Sequence, residues 1–427
     1  MRHVTLCCLA LGFPLAAVAA DSSPKTAETG AIQVAGEFFL LENGPGKGVQ
    51  GTPHVAFGKA MYLVVWREGW HGKGGSARVF AARVSPDGKV LDPQGIEVAP
   101  CRVGVQERPR VAFGGGVFLV VWQDFRNGKD YDVWAARVSP QGKVLDASPI
   151  PVAVAPRTQV LPETASDGER FLVVWQGLQR EETSYRGFAA SIDAEGKAGA
   201  TVETGAAPQP KIAWNGKRYL VGYGSQTVFT LMLDPEGRPL GRTPRGNPAL
   251  SSTKAAVFSL SAVPGGGWLI VGHRSPPDPW GWGGPGAMRA ALLNSDGQLE
   301  NQDAVKEPAG VQQRLPGWLD LGKEKTPGAT WPWGETASAW TGTHWLVVWQ
   351  RQHLCGEKLT NFENCDLIAA RLDGFHSLDE AGLPVAVSAA EERRPGLAFD
   401  GAGHLLCVYE KYQDGVSRIA ARILTER

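Results

Sequence analysis

One apolar pattern recurs seven times along this chain, and that periodicity limits the possible folds more than any other feature. The runs PHVAFGKAMYLVVW, PRVAFGGGVFLVVW, PETASDGERFLVVW and PKIAWNGKRYLVGY end at Trp66, Trp122, Trp175 and Tyr223. A more degenerate copy, AVPGGGWLIVG, ends at Gly272, and ASAWTGTHWLVVW and PGLAFDGAGHLLCVY end at Trp349 and Tyr409. Successive ends lie 48 to 60 residues apart, except for an interval of 77 between the fifth and sixth. A period of roughly 50 is what a four-stranded propeller blade with its loops requires. The runs are short, β-branched and aromatic, and broken by Gly and Pro, so stacked helices are excluded.

Each copy resolves into four strands, in the first about 53–57, 62–66, 78–84 and 96–99. The third and fourth are joined by Ser85-Pro86-Asp87-Gly88, and similar turns end at Gly142, Gly196, Gly237 and Gly297. Proline presets one turn dihedral and glycine tolerates positive φ. The second strand is almost wholly apolar, as suits a strand buried on both faces. The third carries Ala-Ala pairs, for example Ala81-Ala82 and Ala420-Ala421, whose small side chains let neighbouring sheets approach closely. The last copy has three strands before the chain ends, and Ile32-Gln33-Val34 echoes Ile96-Glu97-Val98. The expected fold is therefore all-β: a seven-bladed β-propeller of four-stranded antiparallel blades, closed by an N-terminal strand beside residues 416–423.

The chain resembles a type of secreted bacterial β-propeller repeat protein built on P-x-V-A-F-x-G-x-x-F-L-V-V-W-x-D followed by A-A-R-V-S-P-x-G-x-V-L-D. Residues 109–124 and 135–146 match best, and the fifth copy and 306–334 depart from the pattern. The resemblance implies a propeller and brings no established catalytic residues with it.

Residues 1–20 read as a signal peptide: Arg2 and His3, an apolar run, then small residues before Asp21. Residues 21–30 read as a disordered segment and 31–427 as one propeller domain, exported to the periplasm or beyond. No later segment is apolar enough to span a membrane. Lys plus Arg equals Asp plus Glu, 43 each, which argues against a nucleic-acid partner. A monomer is expected. Of six cysteines, Cys7 and Cys8 belong to the signal. Cys355 and Cys365 bracket one loop and are expected to form a disulfide, and Cys407 is expected to be a buried thiol. No C-x-x-C, H-E-x-x-H, calcium-loop or G-x-S-x-G motif occurs, so no metal or cofactor is expected.

Function on such a scaffold concentrates in long loops. These are 67–77, 123–131, 275–286, 306–334 and 350–365, all assigned to the face opposite the short turns. Trp70, Trp280, Trp282, Trp318, Trp331 and Trp333 lie in them and could stack on sugars, or simply pack the insertions onto the ring. Charged residues follow the second strand: Arg67 and Glu68, Asp124 and Arg126, Arg351 and His353, Glu410 and Lys411. Recurrence favours inter-blade ion pairs there, and the same holds for Arg83, Arg137, Arg371 and Arg422. The first functional reading is a non-catalytic propeller binding a glycan or protein on the long-loop face. The second is a polysaccharide hydrolase or lyase using carboxylates such as Glu68, Asp124 and Glu335 at the channel mouth. A third is a structural repeat domain without a ligand. The segments 275–286 and 306–334 are expected to emerge on one face, after the second and fourth strands of the fifth blade, and to form a wall beside the mouth.

Overall fold

The computed structural model describes residues 32–426 except 42–48, 70–74, 101–103, 179–183, 207, 225–227, 242–244, 247–254, 275–286, 301–318, 321–335, 356–360, 375 and 380. The strands form seven antiparallel sheets arranged as blades of a ring. Blade 1 contains Gln50–Gly58, Met61–Gly69, Ala77–Val84 and Ile96–Glu97. Blade 2 contains Gln106–Gly114, Val117–Asp124, Asp132–Val138 and Ile150–Ala153. Blade 3 runs from Gln159–Ser166 to Val202–Ala206, and blade 4 from Lys211–Trp214 to Arg245–Gly246. Blade 5 runs from Ala255–Ala262 to Leu319–Asp320, and blade 6 from Thr336–Trp340 to Leu383–Ala386. Blade 7 holds Glu391–Phe399, His404–Gln413 and Val416–Glu426. Each first strand packs against the first strand of the next blade, and the seventh returns to the first. The first strands therefore surround the axis.

No blade has a core of its own. The apolar clusters each combine side chains of two neighbouring blades. Between blades 1 and 2, Leu63, Val65, Val79 and Ala81 meet Phe118, Val120, Trp122 and Val138. Successive side chains of a strand point to opposite faces, so the second strand feeds both clusters that flank its blade. Tyr62, Val64 and Trp66 belong to the cluster shared with blade 7. The Ala-Ala pairs are buried throughout, including Ala81-Ala82, Ala135-Ala136, Ala290-Ala291 and Ala420-Ala421.

The repeated arginine of the third strand ties blades together. Arg83 makes two hydrogen bonds to Asp92 of its own blade and donates to the Pro140 carbonyl, 3.1 Å away, in the turn of blade 2. Arg137 does the same with Asp146 and the Ala194 carbonyl of blade 3. Arg371 repeats the pair with Asp379. The turn glycine has two reasons to be glycine here. Gly142 sits at φ +82°, and a Cβ there would lie 2.8 Å from Nε of Arg83.

Blade 7 is completed by the N-terminal segment. Ile32, Gln33 and Val34 pair with Glu426, Thr425 and Leu424, while Phe38 and Phe39 pair with Ala421 and Ala420. The register corrects one detail of the sequence reading. Phe39 opposite Ala420 matches Ile96 opposite Ala81, so Phe38–Phe39 holds the place inferred for 32–34. The segment chooses this register because it buries apolar side chains on both sides: Ile32 in the cluster with blade 6, Leu40 and Leu41 in the cluster with blade 1. Glu37 fixes it further, accepting from the Tyr409 hydroxyl at 2.5 Å and from Lys411 Nζ at 2.7 Å. Burial alone would raise the Glu37 pKa. Those two bonds and the charges of Lys411 and Arg422 outweigh it and hold the carboxyl below its usual range.

Two further expectations change. Leu319–Asp320 is the fourth strand of blade 5, with Leu319 opposite Ala290. It splits the insertion assigned to the loop after that strand: 306–318 precedes the strand and only 321–334 follows it. The expected Cys355–Cys365 disulfide meets an unfavourable register, and the Cys355 side chain lies outside the described residues. Cys365 is buried and its sulfur accepts from Gln350. The hairpin register sets Cys365 opposite Gln352 and Cys355 opposite Asn361, which separates the two along the ladder. Cys101 lies outside the described residues.

Glu37→Ala removes the anchor of the closing segment, and a loss of about 1–3 kcal/mol is expected. Urea unfolding measures it, and an unchanged midpoint would show that closure does not rely on this carboxylate. Cys407 is fully buried, and burial pushes its thiol up to about 12. Alkylation followed by peptide mapping should modify Cys407 only after unfolding. Labelling of the native protein at neutral pH contradicts this.

Candidate functional site

The short turns between first and second strands, and between third and fourth, share one face. Gly115 N–H donates to the Gly168 carbonyl of the next blade, and Arg170 reaches Glu236 in the turn of blade 4. The opposite face receives the connections leaving the second and fourth strands. Its inner rim is where the first strands bulge. Five of the blades share one feature there: a residue at positive φ immediately before a proline. These are Thr52, Arg108, Leu161, Gln209 and Arg394, at φ 51–56°, each followed by Pro in the sequence. The proline ring that follows disfavours the right-handed helical region for such a residue.

The bulge turns one backbone N–H toward the preceding blade, and that blade supplies an acceptor. In three blades it is the residue after the aromatic end of the second strand. Glu410 accepts from Thr52 at 2.6 Å, Gln123 from Leu161 at 3.1 Å, and Gln176 from Gln209 at 2.9 Å. A second rule satisfies the buried aromatic itself. Trp66 donates to Glu68, Trp122 to Asp124 at 2.9 Å, and Trp175 to Gln159. A third uses a first-strand glutamine: Gln50 accepts from Ile419 of blade 7, and Gln106 from Val79 of blade 1. The charges that follow the second strand are therefore chiefly parts of the blade repeat.

This places the first two catalytic candidates. Glu68 and Asp124 are buried in successive blades at equivalent positions, each capping the indole of its own strand. Asp124 also takes bonds from Gln106 and Arg126. The structure does not bring them together as an acid/base pair. Glu335, Trp70, Trp280, Trp282, Trp318, Trp331 and Trp333 lie outside the described residues. Among the described residues no group of three or more His, Cys, Asp or Glu is placed to hold a metal ion.

Two features went unseen in the sequence. The first is a polar band on the axis-lining strands, formed by the residues after the bulge prolines. Arg110 of blade 2 and Lys211 of blade 4 both bond Glu163 of blade 3, at 3.0 and 2.5 Å. Ser259 and Ser338 continue the band across blades 5 and 6 at 3.0 Å. Burial would raise the Glu163 pKa, but Arg110, Lys211 and His54 overcome it and bring the carboxyl down to about 2. The second is the rim sector of blades 7, 1 and 2. Here Arg393 and Arg394 both bind Glu410, and Arg393 lies over the Tyr412 ring, 5.3 Å from its centroid. Tyr131 donates to Glu107 at 3.1 Å, and Arg67 lies between the two groups, its charge acted on by Glu410 and by Glu107. No other described sector of the rim gathers so many departures from the repeat. An apolar cavity of about 470 Å³ also opens between blades 2 and 3, lined by Val152, Val154, Pro156, Trp175 and Phe188.

No family model and no curated protein matches the chain. Solved structures do. A protein of unknown function from Dyadobacter fermentans is 12% identical over 93% of this chain and 99% of its own, with a TM-score of 0.49. The phage phi92 endosialidase is 8% identical over 91% of this chain and 69% of its own, at 0.51. The Trypanosoma rangeli sialidase is 8% identical over 91% and 59%, at 0.47. At such identities the likeness is one of fold.

Glu163→Gln leaves Arg110 and Lys211 facing a neutral amide. A loss of about 2–4 kcal/mol at neutral pH is expected, because removing one member of a buried pair strands the other. The folded pKa lies below the ordinary 4.5, so this stabilisation is complete above pH 4.5 and disappears as pH falls toward 2. The variant should therefore show a shallower pH dependence of unfolding across that window. A parallel dependence in both proteins would remove Glu163 from the account.

Proposed function

We propose that this chain is an exported, non-catalytic propeller that binds carbohydrate at the rim of blades 7, 1 and 2. The observation that carries this reading is the sector itself. Arg393, Arg394, Arg67, Glu107, Tyr131 and Tyr412 crowd one part of the rim, where elsewhere the repeat presents its inter-blade caps. Forked donors, carboxylate acceptors and aromatic faces are the groups that hold hydroxyls and stack on sugar rings. The glycan-active propellers among the fold neighbours are compatible with the reading. An apolar signal-like segment at 4–18 fits export.

A hydrolase is the second reading, favoured by the Tyr131–Glu107 contact, since a hydroxyl bonded to a carboxylate is the minimum of an activated nucleophile. The electrostatics run the other way. Burial and Glu107 push the Tyr131 hydroxyl up to about 12, so it is a worse nucleophile than free tyrosine at neutral pH.

A glycan array followed by calorimetry on the strongest oligosaccharide tests the proposal. Arg393→Ala and Tyr412→Ala are each expected to weaken binding at least tenfold, with no release of reducing ends by the parent protein. Binding to no oligosaccharide defeats the carbohydrate reading, and steady release of reducing ends defeats the non-catalytic one.

A further inference from the structure

The rim of blade 1 departs from the rule that blades 2, 3 and 7 follow. The position after the second-strand aromatic is an acceptor in blades 2, 3 and 7: Gln123, Gln176 and Glu410. In blade 1 it is Arg67, which has no acceptor to offer. Leu63 and Val65, on the same strand face, belong to the cluster with blade 2. Arg67 therefore leaves the strand toward the bulge of blade 2. The first-strand residue opposite it is Gly51. A Cβ on Gly51 would fall 2.7 Å from Arg67 Nη2 and 3.0 Å from Glu410 Oε1. Glycine thus clears the space that the guanidinium occupies.

That guanidinium is buried, at 8% exposure, and its Nε has no hydrogen-bond partner. The carboxylates around it are engaged elsewhere. Glu410 is held by Arg393, Arg394 and the Thr52 N–H. Glu107 is held by Gln123 and Tyr131, and Glu68 caps the Trp66 indole. Carboxylates act on this cation from a distance, yet its buried Nε makes no hydrogen bond, which is costly and which a bound anion relieves.

We propose that Arg67 is the seat of a carboxylate carried by an acidic polysaccharide. A planar guanidinium matches a carboxylate through two parallel hydrogen bonds. Glu410 and Glu107 nearby disfavour a doubly charged group such as phosphate, so a monoanion is the fitting ligand. Only the identity of the carrier rests on the carbohydrate reading; the anion seat rests on Arg67 alone.

Thermal unfolding at constant ionic strength tests the seat, with sodium glucuronate as probe and glucose as control. Glucuronate should raise the melting temperature of the parent protein and glucose should not. Arg67→Gln installs the residue used in blades 2 and 3, so this variant should melt no lower than the parent and lose the glucuronate response. Arg67→Lys, charged but without the fork, should respond more weakly. Equal responses in the parent and Arg67→Gln, or none in either, overturn the proposal. Calorimetry with an oligogalacturonate and its methyl ester then tests the carrier. Tight binding of the acid form, weakened at least tenfold by esterification or by Arg67→Gln, is expected. A glucuronate response without any oligosaccharide binding keeps the seat and refutes the carrier. Binding of neutral oligosaccharides without a glucuronate response keeps the carbohydrate reading and refutes the seat.

Discussion

The burial of each sheet between its two neighbours governs the rest of this molecule. A four-stranded blade alone has two apolar faces and nothing to cover them. Leu63 and Val65 face one neighbour while Tyr62, Val64 and Trp66 face the other, so a blade is folded only when both neighbours are. This is why the second strand tolerates so little polarity, why alanine recurs in the third, and why the ring must close. Stability in such an array is a sum over interfaces rather than over blades.

The polar ends of the strands need a different solution, because backbone donors and indoles there are cut off from water. The ring solves it with a small set of repeated hydrogen bonds: an acceptor for the bulge N–H, a carboxylate or amide for the indole, a glutamine reaching back one blade. Leaving such groups unpaired costs about 1–3 kcal/mol each. A repeat this regular makes its exceptions conspicuous. Tyr409 replaces the aromatic Trp of blades 1 to 3, and its hydroxyl donates to Glu37 of the closing segment and accepts from Arg422. Arg67 replaces an acceptor and is met by nothing in the blade repeat.

The architecture was legible because it is written in short-range chemistry. Periodicity, the Gly-ended turns, the Ala pairs and the missing last strand all have local signatures, and all four appear in the structure. The closing register was not legible, because 32–34 resembles 96–98 in residue type while burial of Leu40 and Leu41 decides the alignment. The fourth strand of blade 5 escaped notice because two residues, Leu319 and Asp320, carry no pattern. The rim was legible only as a list of charges. Telling a cap from a ligand-binding group requires knowing which acceptor each donor meets, and those partners come from adjacent blades about 40 to 360 residues away. The polar band through Glu163 was hidden for the same reason, although its signal, a polar residue after four of the five bulge prolines, stands in the sequence.

Closure by the N-terminal segment also orders events in time. The strand that completes blade 7 is synthesised first, and its partner, Val416–Glu426, is synthesised last. Until the final strand appears, residues 32–41 have no sheet to join, and the first and sixth blades each present a bare apolar face. The ring cannot be assembled progressively to a stable partial product in the way an open solenoid can. It passes from an open array with two bare end faces to a closed circle in one step, so the half-made chain, rather than the finished one, is the species that needs protection from aggregation.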